Sequence, residues 1–511
     1  MNVARTQTEP AASRAHRPGA ALAALAAAQF TVMLATSIVN VALPQIRAGV
    51  GLSDGSTTWV VNAYGLAFGA LLLAGGRAAD LLGRRRVLIA GLTLFAAASL
   101  AAGLAATAGV LITARAVQGL AAAAIAPAAL ALAMAQFPTG PGRGMALGVW
   151  GAVSGAGGAA GVLLGGVLTQ AWGWPWIFHS VALGSALVLA AVAALVPSEV
   201  GRVAGSVAEA VDKRVSGVKA GRTSGRFDLL GTTTVTLALT GLVWGLTTAR
   251  GAGWSDGGVL GALGAAAVLL TAFALIERRR PNALIPPRLL TTGRVATGNL
   301  LMALLGSVWI ALFFFLPLYQ QQVLGSGPLA TGAGQLPLAA ANMLGAAVAP
   351  RVSRRLGPAT TVVTALLTEA AGLLWLSRIS ADGSYLADIL GPSVLIGLGL
   401  SIAFVQLTAL AVDGVPPQDA GLAGGLVNTT RQVGGAIGLA ALTTLAGSVT
   451  TRAAARQPHL EALTAGYRAA FAVSAAVLTV TALLAFILTR CTGRRKSAAA
   501  SPRTAPDPQT V

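Results

Sequence analysis

Gly76-Arg77-Ala78-Ala79-Asp80-Leu81-Leu82-Gly83-Arg84-Arg85-Arg86 is a short, strongly basic stretch that closes one long apolar run, 57–78, and opens another, 87–106. About 20 mostly apolar residues let an α-helix cross the hydrocarbon of a bilayer. The pattern therefore predicts two membrane helices joined by a tight hydrophilic turn. The glycines permit that turn and a close helix approach. Asp80 can accept from nearby N–H groups or pair with an arginine. Four cations in so short a loop also label a side of the membrane, because loops rich in Lys and Arg stay cytoplasmic.

Outward from this loop the same pattern repeats. Apolar runs lie near 20–43, 57–78, 87–106, 109–135, 145–169, 177–196, 229–249, 258–276, 298–320, 332–350, 359–377, 388–413, 430–449 and 466–489. The chain of 511 residues is 55% apolar and only 10% charged, with a mean hydropathy of +0.74. Soluble domains carry about 25% charged residues, so a single water-soluble core is excluded. A disordered chain, which needs low hydrophobicity, is excluded too. The expected fold class is an all-α polytopic membrane protein with fourteen transmembrane helices. The first run follows Arg14 and Arg17 as a signal peptide would, but its length and its Gln29, Asn40 and Pro44 mark a retained span.

An even number of spans puts both termini on one side. With the termini cytoplasmic, 27 of the 35 Lys and Arg fall on inside segments and 6 on outside loops; Arg115 and Arg431 lie in or at the edge of spans. In a soluble protein a net charge of +19 would point to nucleic acid. Here it is a topological label, so the expected partner is the lipid bilayer and not a nucleic acid. Residues 1–19 form a cytoplasmic tail, 20–196 a six-helix half, 197–228 a polar cytoplasmic linker, 229–276 two further helices, 298–489 a second six-helix half, and 490–511 a disordered cytoplasmic tail. One cysteine (Cys491) and three scattered histidines (His16, His179, His459) offer no ligand spacing, so neither a metal nor a cofactor is expected.

The G-x-x-x-D-x-x-G-R-R-R pattern of Gly76, Asp80, Gly83 and Arg84–Arg86 resembles the signature loop of the major facilitator superfamily. The resemblance implies two six-helix halves that rock about a central cavity, with this loop as a cytoplasmic latch. Arg115-Ala116-Val117-Gln118-Gly119 resembles the R-x-x-Q-G motif that proton-coupled members carry in span four. A guanidinium at mid-membrane costs at least ~2.5–3.5 kcal/mol, so Arg115 should face protein or a watery cavity unless it snorkels outward. Gln118 lies on the same helix face. Span five repeats small residues at Gly157, Gly161, Gly165 and Gly166, a face for tight packing. Gly161–Gly166 is similar to the antiporter motif G-P-x-x-G-G, with Val162 in place of its proline.

Thr36-Ser37-Ile38-Val39-Asn40-Val41-Ala42-Leu43-Pro44 resembles the fourteen-span drug:proton antiporter branch, whose pattern is L-D-x-T-I-V-N-V-A-L-P; here Leu34-Ala35 replaces Leu-Asp. Asn40 serves either a substrate hydrogen bond or helix packing. Trp59, Asn62 and Tyr64 match the same branch, as does Pro317–Gln322, whose aromatic residue reads as an interface anchor. Asn428, Arg431, Gln432, Gly434 and Gly438 fit its G-l-x-N-x-x-R-Q-x-G-x-x-x-G pattern at the start of span thirteen, with capping of the helix end as the plainer alternative. Pro350–Gly357 falls where a second-half copy of the Gly76–Arg86 loop belongs, although no acid answers Asp80.

Where the branch carries an intramembrane aspartate, this chain has Ala35, so another group must move protons if protons are moved. Glu369, in mid-span eleven, is the best substitute on energetic grounds, because a membrane acid is expensive unless it has a use; a lipid- or protein-paired glutamate is the other reading. The resemblance implies a monomeric secondary exporter of hydrophobic small molecules, drugs or antibiotics, in a bacterial plasma membrane, driven by protons and not an enzyme. An importer or proton-independent facilitator stands as the alternative. A membrane-embedded enzyme is a remote third reading, lacking a nucleophile turn or metal-protease motif.

Overall fold

A computed structural model of the chain describes residues 18–137, 141–196, 229–279, 287–415 and 420–499. The tail 1–17, the linker 197–228 and the end 500–511 lie outside the described residues. Fourteen long helices follow one another: α1 (Pro18–Val50), α2 (Asp54–Leu82), α3 (Arg84–Gly103), α4 (Ala108–Gln136), α5 (Pro141–Trp172), α6 (Pro175–Leu195), α7 (Leu229–Ala252), α8 (Gly257–Arg279), α9 (Val295–Gln322), α10 (Leu336–Leu356), α11 (Pro358–Leu376), α12 (Gly391–Ala411), α13 (Ala420–Ala454) and α14 (His459–Ala499). No strand occurs among the described residues. This is what hydrocarbon demands, since a helix satisfies every internal backbone group within its own segment.

Thirteen of these helices are long and apolar enough to cross a membrane. The exception is α10, which takes the place of the run 332–350. That run is divided at Gln335 into a short helix, Pro328–Gly334, and α10. Pro337, near the start of α10, has no N–H to extend the preceding helix, and Arg351, Arg354 and Arg355 near its end dilute its hydropathy. At the C-terminus α14 runs on to Ala499. The first ten residues of the segment expected to be a disordered tail, 490–499, are therefore helical.

Many large apolar side chains are exposed, among them Leu100, Leu183, Leu187, Val268 and Leu483, as expected for contact with lipid tails. Trp172 and Trp176, at the α5–α6 turn, are exposed, with ring centres 5.7 Å apart and planes tilted by 46°, and Trp is enriched at the ends of membrane spans. Two turns repeat between the halves. Gly83 (φ +97°) separates α2 from α3, and Gly357 (φ +80°) separates α10 from α11. Both conformations disfavour a side chain, which is why the loop and its weak copy keep this glycine while other letters diverge. Arg85 donates to the carbonyls of Val196 (2.8 Å) and Ala193 (2.9 Å), so the basic loop also caps the end of α6.

Helices α1–α6 and α9–α14 form the two halves, with α7 and α8 as an added pair. Val243 and Leu239 of α7 pack with Leu66 and Ala70 of α2 and with Ala436 and Ala440 of α13. Thr444 of α13 donates to the Leu246 carbonyl at 2.8 Å. The added pair therefore lies along the seam where α2 meets α13.

Candidate functional site

Between the halves lies a cavity of about 1650 Å³, larger than the ~300–1,000 Å³ of most drug-sized sites. It reaches from Asn40 and Gln335 to Asp80 and Arg84. The last two are well exposed, with side chains 61% and 39% accessible, so the cavity opens at the end that bears the basic loops. The opposite end is sealed across the halves. Gln321 of α9 donates to the Val41 carbonyl of α1 at 2.7 Å. Gly166 of α5 abuts the Pro328 carbonyl, with room for a methyl only 3.2 Å from Leu329 Cα. Gly332 faces the Val162 carbonyl in the same way.

Arg115 is 1% exposed. Its Nε donates to the Val60 carbonyl of α2 (2.9 Å), and its Nη1 donates to the Ala35 carbonyl of α1 (3.4 Å) and to Gln118 Oε1 (2.9 Å). Gln118 Nε2 passes the chain on to Ser99 Oγ of α3 at 2.6 Å. The guanidinium carbon stands 4.4 Å from the centre of the Tyr64 ring, a cation–π distance. Arg115 therefore does not snorkel: it ties α1, α2 and α4 together, and Gln118 adds α3. Ala35, where the antiporter branch has its acid, supplies a backbone oxygen to this same arginine.

Arg431 differs from the expectation of a residue at the start of a span. Because α13 begins at Ala420, Arg431 sits three turns inside it and lines the cavity. Nη2 donates to Asn428 Oδ1 at 2.8 Å, and the guanidinium carbon lies 4.9 Å from the Trp309 ring and 6.0 Å from the Phe404 ring. Gln432 is buried at the contact of α13 with Gly69 of α2. Sequence reasoning missed both Trp309 and Phe404; a tryptophan in the middle of an apolar run, away from the interfaces such residues favour, could have flagged the first, but nothing in the letters pairs either with Arg431.

The glycine motifs act by allowing helix contact. A methyl added at Gly157 would meet the Phe30 carbonyl at 2.9 Å, and at Gly161 the Leu34 carbonyl at 2.7 Å. Gly165 similarly abuts the Ile38 carbonyl, so three of the four pack α5 on α1. Only Gly166 reaches the other half. In the second half Gly434 and Gly438 press α13 on the Ala303 and Ser307 carbonyls of α9.

The remaining expected site residues fall in different places. Asn40, Gly76 and Asp80 line the cavity, and Asn40 Oδ1 has no partner among the described residues. Asp80 accepts from Arg84 at 3.1 Å within its own loop. Glu369 is fully buried, with neither carboxyl oxygen hydrogen-bonded. Its backbone faces Gly399 of α12, and it does not belong to the cavity lining, so the structure does not bring it together with Arg115. Tyr319, within the stretch read as an interface anchor, is buried and donates to the Ser380 carbonyl at 2.8 Å. His179 packs against Gly103 and lies edge-on to Trp176 at 5.7 Å.

A family model described as the Major Facilitator Superfamily matches residues 25–439. The puromycin resistance protein pur8 of Streptomyces alboniger is 39% identical over 477 residues, covering 91% of this chain and 90% of that protein. The cephamycin export protein CmcT of Amycolatopsis lactamdurans is 39% identical over 433 residues, covering 84% and 85%. The tetracenomycin C resistance and export protein of Streptomyces glaucescens is 34% identical, covering 86% and 78%. Among solved structures, an auto-inhibited POT family peptide transporter matches with a TM-score of 0.66 at 16% identity, covering 93% of this chain and 96% of that one. At that identity the likeness speaks for the fold.

Proposed function

The chain belongs to the Major Facilitator Superfamily, and from that premise we propose that it exports hydrophobic small molecules of the antibiotic class across a bacterial plasma membrane in exchange for protons. The observation that carries the reading is the cavity between the halves, open at the basic end and sealed opposite. The excess of Lys and Arg in the segments that this topology makes cytoplasmic, 27 against 6, supports a cytoplasmic face at that end and cytoplasmic termini. Substrate enters from the cytoplasm or inner leaflet. The halves then rock about it, the Gly166–Pro328 and Gln321–Val41 contacts part, and the cytoplasmic mouth closes. The names of the relatives, puromycin resistance and cephamycin export, support this substrate class.

In this scheme Arg115 and Gln118 hold α1–α4 as one moving body, and Gly157, Gly161 and Gly165 keep α5 on α1 within it. Asp80 and Arg84 stand at the rim that closes. Ala35 beside Arg115, in place of the branch's acid, favours a second reading in which export runs without protons.

Inside-out vesicles under an imposed pH gradient separate the two. Antiport predicts accumulation of a responsive drug, puromycin among the panel, that collapses when an uncoupler is added. Accumulation of every responsive compound that survives the uncoupler would establish the proton-independent reading. No transport in either direction would refute export.

A further inference from the structure

The cavity lining is charged in one sense. Four arginines, Arg77, Arg84, Arg115 and Arg431, face it against a single acid, Asp80, among the described residues. Asp80 is already engaged by Arg84 at the mouth. The deep part of the cavity therefore holds two guanidiniums, one from each half, and no carboxylate.

Both guanidinium carbons lie over an aromatic ring, and each group keeps an N–H nitrogen unused. Arg115 lies over Tyr64 and Arg431 over Trp309. Arg115 Nη2 and Arg431 Nε are buried and make no hydrogen bond to the described residues. Arg115 is the more enclosed of the two, 1% exposed. A ring face satisfies the charge of a guanidinium but offers nothing to its in-plane N–H groups. The best acceptor for such an N–H is an anionic oxygen, because charge-assisted N–H···O⁻ bonds are shorter and roughly twice as strong as neutral ones. Asn62, buried beside Tyr64 on the same lining, has both its amide nitrogen and its amide oxygen without a partner among the described residues, so the site can also bond a neutral polar group.

We propose, resting on the export reading above, that the preferred substrates are organic anions: flat, apolar molecules whose carboxylate or other acidic oxygen is held between Arg115 and Arg431 while their ring system packs against Trp309 and Phe404. The edge-to-face pair of Trp309 and Phe404, with ring centres 5.4 Å apart, supplies the apolar wall. A bound acid also takes over the compensating charge that Ala35 does not provide.

The test uses the purified full chain in an uncharged detergent with radiolabelled 2-naphthylacetate and its carboxamide, two molecules of nearly equal shape that differ in charge. The carboxylate should bind about tenfold tighter or more. Arg431→Gln should reduce that preference to about threefold while carboxamide affinity stays within about twofold, which reports an intact cavity. Arg431→Lys should retain part of the preference, because charge survives but the planar fork does not.

Equal affinities, no binding of either compound, or a preference that survives both Arg431→Gln and Arg115→Gln would overturn the assignment. So would displacement of the carboxylate when the protein is moved into phosphatidylglycerol nanodiscs but not phosphatidylcholine ones, since the anion held there would then be a lipid headgroup. Carboxylate binding without export in vesicles would sink the export reading and leave the anion site between Arg115 and Arg431 standing. Export of uncharged drugs with no carboxylate preference would do the reverse.

Discussion

Twelve residues after a positive-φ glycine, the two halves hold different side chains in the same register: Phe95 in α3, counted from Gly83, and Glu369 in α11, counted from Gly357. Both are fully buried. One is an ordinary core aromatic, and the other is a carboxyl with no hydrogen bond. The contrast recurs elsewhere. In the first half the arginine–glutamine–serine chain of Arg115, Gln118 and Ser99 joins neighbouring helices. In the second half the buried Glu369, Ser393, Gln335 and Gln320 side chains have no partners among the described residues. The glycine–carbonyl contacts, by contrast, are duplicated: α5 on α1, and α13 on α9. The halves thus share this packing and differ at particular polar positions: Arg115 bonds to backbone of α1 and α2, whereas Arg431 bonds to Asn428 of its own helix, and unpartnered buried amides occur in both halves, Asn62 in the first and Gln335 in the second.

Breaking the shared part should have the largest effect. Gly161→Leu and Gly438→Leu each drive a side chain into backbone oxygen, and overpacking of this kind costs about 3 kcal/mol. Both variants should lose nearly all monodisperse protein on size-exclusion chromatography, and to a similar degree. Tolerance at one and collapse at the other would end the packing symmetry.

Arginine replacements come next and should be unequal. Arg115→Gln removes bonds to α1 and α2 and to Gln118, a loss of about 3 kcal/mol; Arg431→Gln removes one side-chain bond, about 1 kcal/mol. Thermal unfolding in detergent should therefore fall much further for the first. Equal shifts would mean that the first half is not specially wired.

Glu369→Leu should be neutral or stabilising by up to about 1 kcal/mol, since an unsatisfied buried polar group costs more than an apolar replacement. Glu369→Gln should leave uncoupler-sensitive uptake within about twofold of the parent. Loss of proton dependence in the glutamine variant would make Glu369 the carrier.

Asp80→Asn should change stability least, by under about 0.5 kcal/mol, because its pair with Arg84 is exposed. Transport should nevertheless drop severalfold if the rim must close. A variant that transports normally would remove Asp80 from the cycle.

Most of the helices were legible from runs of apolar letters, because a bilayer forces long segments and internally satisfied backbones. Where legibility failed, a local competitor was at work: Gln335 and Pro337 divide the run 332–350, and the end of α14 carries a basic helix where polarity alone suggested disorder. Arg115 and Gln118 were legible as a pair because a charge inside a span demands a reason. Arg431 was legible as a motif residue but misplaced by three turns, since Gly424, Gly425 and Thr429 hid the helix that precedes it. Glu369 shows the limit. Its letter marks a costly burial, but only the fold shows that the burial faces α12 and not the cavity. Trp309 and Phe404 contribute through their position across a space, which no spacing along the chain encodes.

Alternating access requires the two halves to rock about the cavity. Spin labels at Leu82 and Leu356, exposed at the basic end, and at Leu104 and Leu460, exposed at the opposite end, test it most directly once Cys491 is replaced by serine. Double electron–electron resonance on the protein with and without a transported drug at low pH should show the first distance shorten while the second lengthens. Two distances that stay fixed, or that move in the same direction, would contradict alternating access in this chain.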